Sequence, residues 1–256
     1  MKLERNEVAV WYLDARLPVA PEFTAWLSPD EVARAKRFRF PKDGHEFVRT
    51  RLGLRCLLAT YLGAHPQEFE FTFSEFGKPR LKDESGLFFN VSHSQGLAVL
   101  AFSNLGEVGI DLEYQRELPE LTVLAEQSFA PEELMKLSQT EAKLEQQTLF
   151  YKIWVRKEAF TKALGQGLQM NLQEFSVLGS DVISDGTQKR RLSALNTPKG
   201  FSGALAAGFD NQNKEMRERF CDLDQLLRSF HSSSGNDFIQ SEPFEQWRTR
   251  YQTNDE

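Results

Sequence analysis

The chain opens on a run of period two, Glu7-Val8-Ala9-Val10-Trp11-Tyr12-Leu13, which reads as a strand and not as the unbroken apolar stretch of a secretory leader. A helix is predicted over 29–38, with Ser28 as its cap, Pro29 at the first helical position and Glu31 at the third. Beyond the break at Pro41-Lys42-Asp43-Gly44, residues Leu52, Leu54, Cys56, Leu57, Leu58 and Tyr61 pattern a second, more buried helix that Gly63 can end. Phe69, Phe71 and Phe73 alternate with Glu70 and Thr72 as a strand. The turn Gly77-Lys78-Pro79 then leads to a short strand near Leu81. Strands over 88–91 and 97–102 are joined as a hairpin by Ser92-His93-Ser94-Gln95-Gly96.

The second half repeats this order of helices and strands, with no repeat of fixed period. Val108-Gly109-Ile110-Asp111-Leu112-Glu113 is a strand of strictly alternating faces, Pro131 opens a helix, and a long helix over 148–164 stops at Gly165. Strands follow over 175–178, 191–195 and 201–209. Ser232-Ser233-Ser234-Gly235 reads as a flexible link to a polar tail that contains Trp247, Tyr251 and Glu256.

With 40% apolar and 27% charged residues over 256 positions, the chain can bury a full core and needs no staple. Its two cysteines, Cys56 and Cys221, stand in no metal-ligand spacing, and His45, His65, His93 and His231 are scattered, which argues against zinc and fits a reducing, cytoplasmic compartment. No apolar run reaches the roughly 18 residues that a membrane span needs. A net charge of −6 makes nucleic acid an unsuitable partner. Against that average, Arg34, Lys36, Arg37, Arg39, Lys42, Arg49, Arg51 and Arg55 crowd one segment, either as a solvated helix face or as a site for a compact anion.

On the strand at 108–113, Gly109, Asp111 and Glu113 share one face. Two carboxylates at that spacing resist ionising together unless a cation sits beside them. On the long helix, Phe150, Trp154, Glu158 and Lys162 recur every four residues as one stripe. Glu158 and Lys162 alone could be an ordinary surface pair, but the two aromatics turn the stripe inward. Asp111, Glu113 and Glu158 together make an oxygen-rich set suited to Mg²⁺, with Lys162 free to hold a phosphate.

Val108-Gly109-Ile110-Asp111-Leu112-Glu113 followed by Trp154-Val155-Arg156-Lys157-Glu158-Ala159-Phe160-Thr161-Lys162 closely resembles the signature of the 4'-phosphopantetheinyl transferase superfamily. Phe76-Gly77-Lys78-Pro79 and Phe89-Asn90-Val91-Ser92-His93-Ser94 resemble the upstream motifs of its larger, two-lobed Sfp type. The resemblance runs from about Arg34 to Phe209. Val155 departs from it, since the family usually has Ser, Thr or Cys there, and a packing change is the expected consequence.

This resemblance implies an α+β fold of two pseudo-symmetric lobes, each a small antiparallel sheet packed with helices: residues 1–105, residues 106–212 with the metal site, and a less regular extension over 213–256. It implies that Asp111, Glu113 and Glu158 ligate Mg²⁺, that Glu158 and Lys162 serve catalysis, and that Lys162 meets the pyrophosphate of coenzyme A. Lys78, Ser92 and His93 would line the nucleotide pocket, completed by arginines chosen from Arg34, Arg37, Arg49 and Arg51, with Arg37 and Arg49 preferred. Glu133 stands in the stretch that supplies a candidate base. The implied activity moves the phosphopantetheine arm of coenzyme A to a serine of an acyl, peptidyl or polyketide carrier protein, in a monomer. A Mg²⁺-dependent hydrolase of the coenzyme A pyrophosphate and a non-catalytic binding module are the alternatives.

Overall fold

The computed structural model describes residues 1–4, 7–83, 85–165, 170–184, 186–208, 215–231 and 244–253. In chain order the elements are β1 (Glu7–Asp14), α1 (Pro29–Ala35), α2 (Pro41–Leu62), β2 (Phe71–Phe73), β3 (Pro79–Leu81), β4 (Phe88–Ser94), β5 (Leu97–Ser103) and β6 (Val108–Tyr114). There follow α3 (Leu121–Ser128), α4 (Pro131–Ser138), α5 (Lys143–Leu164), β7 (Val182–Ser184), β8 (Lys189–Ala194), β9 (Phe201–Gly208), β10 (Glu215–Phe220), α6 (Leu223–His231) and α7 (Phe244–Thr253).

The fold is α+β, built on two four-stranded sheets in the orders β10-β1-β5-β4 and β6-β9-β8-β7, with β2 and β3 as a separate hairpin. Alternation along β1 explains the layering. Ala9, Trp11 and Leu13 face α2 and α6, where Leu52, Leu57 and Leu227 close one core. Val8, Val10 and Tyr12 face the other way, onto Val108, Ile110 and Leu112 of β6 and Leu205 of β9. A third core lies between the far side of the second sheet and α5, around Ile153, Ala159 and Phe160. The order is therefore helix, sheet, sheet, helix, and each large apolar side chain taken fully inside contributes about 1.5–3 kcal/mol.

Ser28 caps α1 in a full capping box with Glu31, as its spacing predicts. Gly63 and Gly165 end α2 and α5 in the left-handed conformation. Four expectations change. Helix α2 begins at Pro41 and runs straight through Gly44. A Cβ at Gly44 would lie 2.8 Å from the carbonyl oxygen of Ala35, so this glycine serves the close approach of α1 and not a break. Strands β4 and β5 pair as far as Ser94 and Leu97, with Gln95 and Gly96 at positive φ in a two-residue turn, which puts Ser92 and His93 on the strand and not in a loop.

Residues 175–178 form no strand. Their hydrogen bonds go to side chains instead: Val177 N donates to Glu133, while Phe175 O accepts from Lys157 and Val177 O from Arg156. Nor is the described part of the extension irregular. β10 pairs in parallel with β1, from Glu7 with Glu215 to Tyr12 with Phe220, and α7 lays Trp247 and Tyr251 into the central core. The Ser232-Ser233-Ser234-Gly235 link and Glu256 lie outside the described residues.

Candidate active site

The two sheets meet edge to edge at β4 and β6, and side chains replace backbone pairing along this seam. The Asn90 carbonyl accepts from Ile110 N at 2.9 Å, Ser92 Oγ from Leu112 N at 3.3 Å, and Ser94 Oγ from Tyr114 N at 3.0 Å. The two hydroxyls then donate onward, Ser92 to Asp111 Oδ1 at 3.0 Å and Ser94 to Glu113 Oε2 at 3.3 Å. Asn90 and Ser94 carry no role in the sequence reading. Their signals are the Phe89-Asn90-Val91-Ser92-His93-Ser94 motif that contains them and a polar residue at every second position, 90, 92 and 94, of the strand.

Gly109 brings α5 onto this seam. A Cβ there would fall 2.0 Å from the carbonyl oxygen of Ala159 and 2.3 Å from Ala163 N, so only glycine lets the strand lie directly on the helix backbone. The face it shares with Asp111 and Glu113 thereby meets Glu158 and Lys162. Lys162 Nζ donates to Asp111 Oδ1 at 2.6 Å and to Ser92 Oγ at 3.2 Å. Burial pushes the carboxyls of Glu113 and Glu158 above the usual glutamate value, and the negative charge of Asp111 pushes both further.

Among the described residues no three acidic, histidine or cysteine side chains are gathered closely enough to hold a metal ion, and Lys162 supplies the local positive charge. The donor set nonetheless fits a hard divalent cation. It offers three carboxylates from two elements, and Asp111 Oδ2 is buried without a hydrogen-bond partner. In metal-free solution, raised carboxyls mean that the native protein holds protons above pH 4.5 that the unfolded chain has released, so their share of stability falls as pH rises. Glu158→Gln removes part of that burden. Its melting temperature relative to wild type, in chelator, is expected to climb between pH 4.5 and 7; a constant difference would contradict the crowding.

His93 points from β4 toward α2. Its imidazole is lowered chiefly by desolvation, with Glu46 opposing and Lys162 and Arg34 adding to the shift. Arg34, whose charge it feels, also lines a cavity of about 640 Å³ with Arg37, Arg51, Phe47, Phe71 and Phe73 among others. Arg37 is exposed on that wall. Arg49 is not there: it is 2% exposed, holds Asp224 of α6 with two bonds of 2.8 and 3.1 Å, and donates to the carbonyls of Asp14 and Pro18. Arg51 is committed to Glu31 at 2.8 Å and Arg55 to the same carboxylate, so part of the basic cluster is internal pairing.

Two more expected site residues turn inward. Glu133 is 0% exposed, bonded to Ala130 N, Val177 N and Lys157 Nζ, and a base so enclosed cannot reach an incoming hydroxyl. Lys78 Nζ is likewise turned into the protein, onto Glu107 and two backbone carbonyls. Val155 packs in the core beside Ile153 and Phe160, where a change of packing residue was expected.

The profile of the 4'-phosphopantetheinyl transferase superfamily matches residues 107–204, and that of the 4'-phosphopantetheinyl transferase N-terminal region matches residues 18–105. HetI, a 4'-phosphopantetheinyl transferase of Nostoc sp., is 39% identical over 182 residues, covering 69% of this chain and 76% of its own. The chain belongs to the 4'-phosphopantetheinyl transferase superfamily. A putative 4'-phosphopantetheinyl transferase of Synechocystis sp. is 38% identical over 167 residues, 64% of this chain and 68% of that one. The 4'-phosphopantetheinyl transferase Sfp of Bacillus subtilis is 32% identical over 155 residues, 60% and 67% of the two chains. The protein is thus a phosphopantetheinyl transferase of the Sfp-like type, an enzyme that uses coenzyme A and transfers its phosphopantetheine group to carrier proteins. Both profiles meet at the seam, since the N-terminal one holds β4 and the other holds β6 and α5.

Proposed function

We propose that this transferase acts on a serine of an acyl, peptidyl or polyketide carrier protein with Mg²⁺ held by Asp111, Glu113 and Glu158. The observation that carries the reading is the contact of Lys162 with Asp111 at the seam between the sheets, with Glu113 and Glu158 near enough to feel both charges. Bound there, Mg²⁺ supplies charge neutralisation and Lewis acidity at the pyrophosphate. Lys162, 30% exposed in its side chain, turns its ammonium to the same phosphates. Ser92 orients that lysine, and His93 with Arg34 and Arg37 receives the nucleotide's 3'-phosphate toward the cavity.

Glu158 is the base, because it is half-buried beside Asp111 and Lys162 where Glu133 is sealed. The carrier serine oxygen bonds to the β-phosphorus and its proton passes to Glu158. The bond from that phosphorus to the bridging oxygen breaks, and 3',5'-ADP leaves. The reading extends to two lobes, residues 1–105 and 106–212, in a monomer, since one chain supplies both edges of the seam. It extends also to the cytoplasm, where Cys56 and Cys221, both buried thiols, stay reduced. Among the described residues no helix is long and apolar enough to cross a membrane.

Intact-mass spectrometry of an apo carrier protein incubated with the enzyme and coenzyme A tests this directly. A gain of one phosphopantetheine with Mg²⁺, lost in chelator, is expected. Coenzyme A consumed without a gain would mean hydrolysis, and neither event across several carrier classes would mean a binding module.

A further inference from the structure

Lys78 stands at the turn before β3, where its side chain would ordinarily be solvated. Instead its residue is 8% exposed, and its ammonium donates to Glu107 Oε2 at 2.6 Å, to the carbonyl of Val108 at 3.0 Å and to the carbonyl of Lys162 at 2.8 Å. An ammonium has three hydrogens to give, so none is left for a phosphate. Arg80 holds the other oxygen of Glu107 at 2.7 Å, which fixes the acceptor.

The three partners belong to the segments that build the active site. Val108 begins, and Glu107 directly precedes, the strand that carries Asp111 and Glu113. Lys162 O lies in the last turn of α5, where carbonyls lack helical partners and a cation is favoured. Gly165, the left-handed cap of that helix, packs on the same side chain, with its Cβ direction 3.7 Å from Lys78 Cδ. One ammonium from the first lobe thus holds the end of the helix against the start of the strand.

We infer that Lys78 is a positioning residue, which through Glu107, Val108 O and Lys162 O sets where the Lys162 ammonium stands relative to Asp111. The inference rests on the reading of Lys162 as the lysine that meets the pyrophosphate. Lys78 acts through that lysine and does not bind the nucleotide with its own side chain.

The test separates binding from turnover in Lys78→Met, Lys162→Met and the double variant, with coenzyme A affinity measured by calorimetry and kcat at saturating coenzyme A. Lys78→Met is expected to lower kcat at least ~10-fold with coenzyme A affinity within about threefold of wild type. The double variant is expected to be no slower than Lys162→Met alone. A loss confined to coenzyme A affinity, or losses that multiply in the double variant, would overturn the inference. Should Lys78→Met not fold, Glu107→Gln keeps both carbonyl bonds and is expected to show the same split at smaller amplitude; wild-type kcat in that variant would also overturn it. Full activity in Lys162→Met would instead sink the reading of Lys162 itself, a different outcome from either.

Discussion

Asp111→Ala will lower the single-turnover rate of transfer by ~10³-fold or more, about 4 kcal/mol of transition-state stabilisation, while the protein stays folded. Asp111 is the centre of the cluster. Its Oδ1 receives Lys162 and Ser92, its Oδ2 is buried and unpartnered, and its charge adds to the burial that raises Glu113 and Glu158. Removing it frees Lys162 to swing and takes one of three carboxylates from the cation. Stability is spared for the same reason, because the crowding of like charges falls by one member and Lys162, partly exposed, can hydrate. Circular dichroism melting beside a quenched-flow assay checks both halves of the statement. A rate above a tenth of wild type, or a collapsed melt, would each count against the assignment.

Lys157→Met will cost about 3–5 kcal/mol of stability, a large share of the 5–15 kcal/mol typical of a folded protein. Lys157 and Glu133 are both 0% exposed and meet at 2.8 Å. The lysine also donates to the carbonyls of Leu172 at 2.6 Å and Phe175 at 2.5 Å, and the glutamate accepts from Ala130 N at 2.8 Å and Val177 N at 2.7 Å. Deleting the lysine leaves a buried carboxylate without its countercharge and two carbonyls without donors. Urea unfolding measures the loss. The double variant with Glu133→Gln should recover part of it, since removing both charges is cheaper than orphaning one. If Glu133 were the catalytic base, Glu133→Gln would stop transfer in molecules that remain folded; residual activity that tracks the folded fraction is expected instead.

The motifs that resemble the family's signature are the most legible part of the chain. Alternation along 108–113 and a four-residue stripe along 150–162 are local patterns, and each needs only its own element to place Asp111, Glu113, Glu158 and Lys162. What the sequence could not separate is a charged residue facing a ligand from one facing another segment. Arg49 and Asp224 lie 175 residues apart, and Lys157 meets Glu133 from another helix, so nothing local marks either as paired. Gly44 misled for a related reason: in sequence it reads as a breaker, and only the carbonyl of Ala35 beside it explains it. The predicted start at 148 falls five residues inside α5 because 143–147 lacks an apolar stripe, and Leu144 there is 73% exposed.

The parallel pairing of β10 with β1 bears on how the protein is made. In chain order β1 precedes its antiparallel neighbour β5 by about ninety residues. Its other neighbour arrives only with residues 215–220, and Arg49 on α2 waits for Asp224 just beyond. The second sheet, whose strands all lie between 108 and 208, can close before that. The sheet begun first is therefore the sheet completed last, held with an open strand edge until β10 has been made.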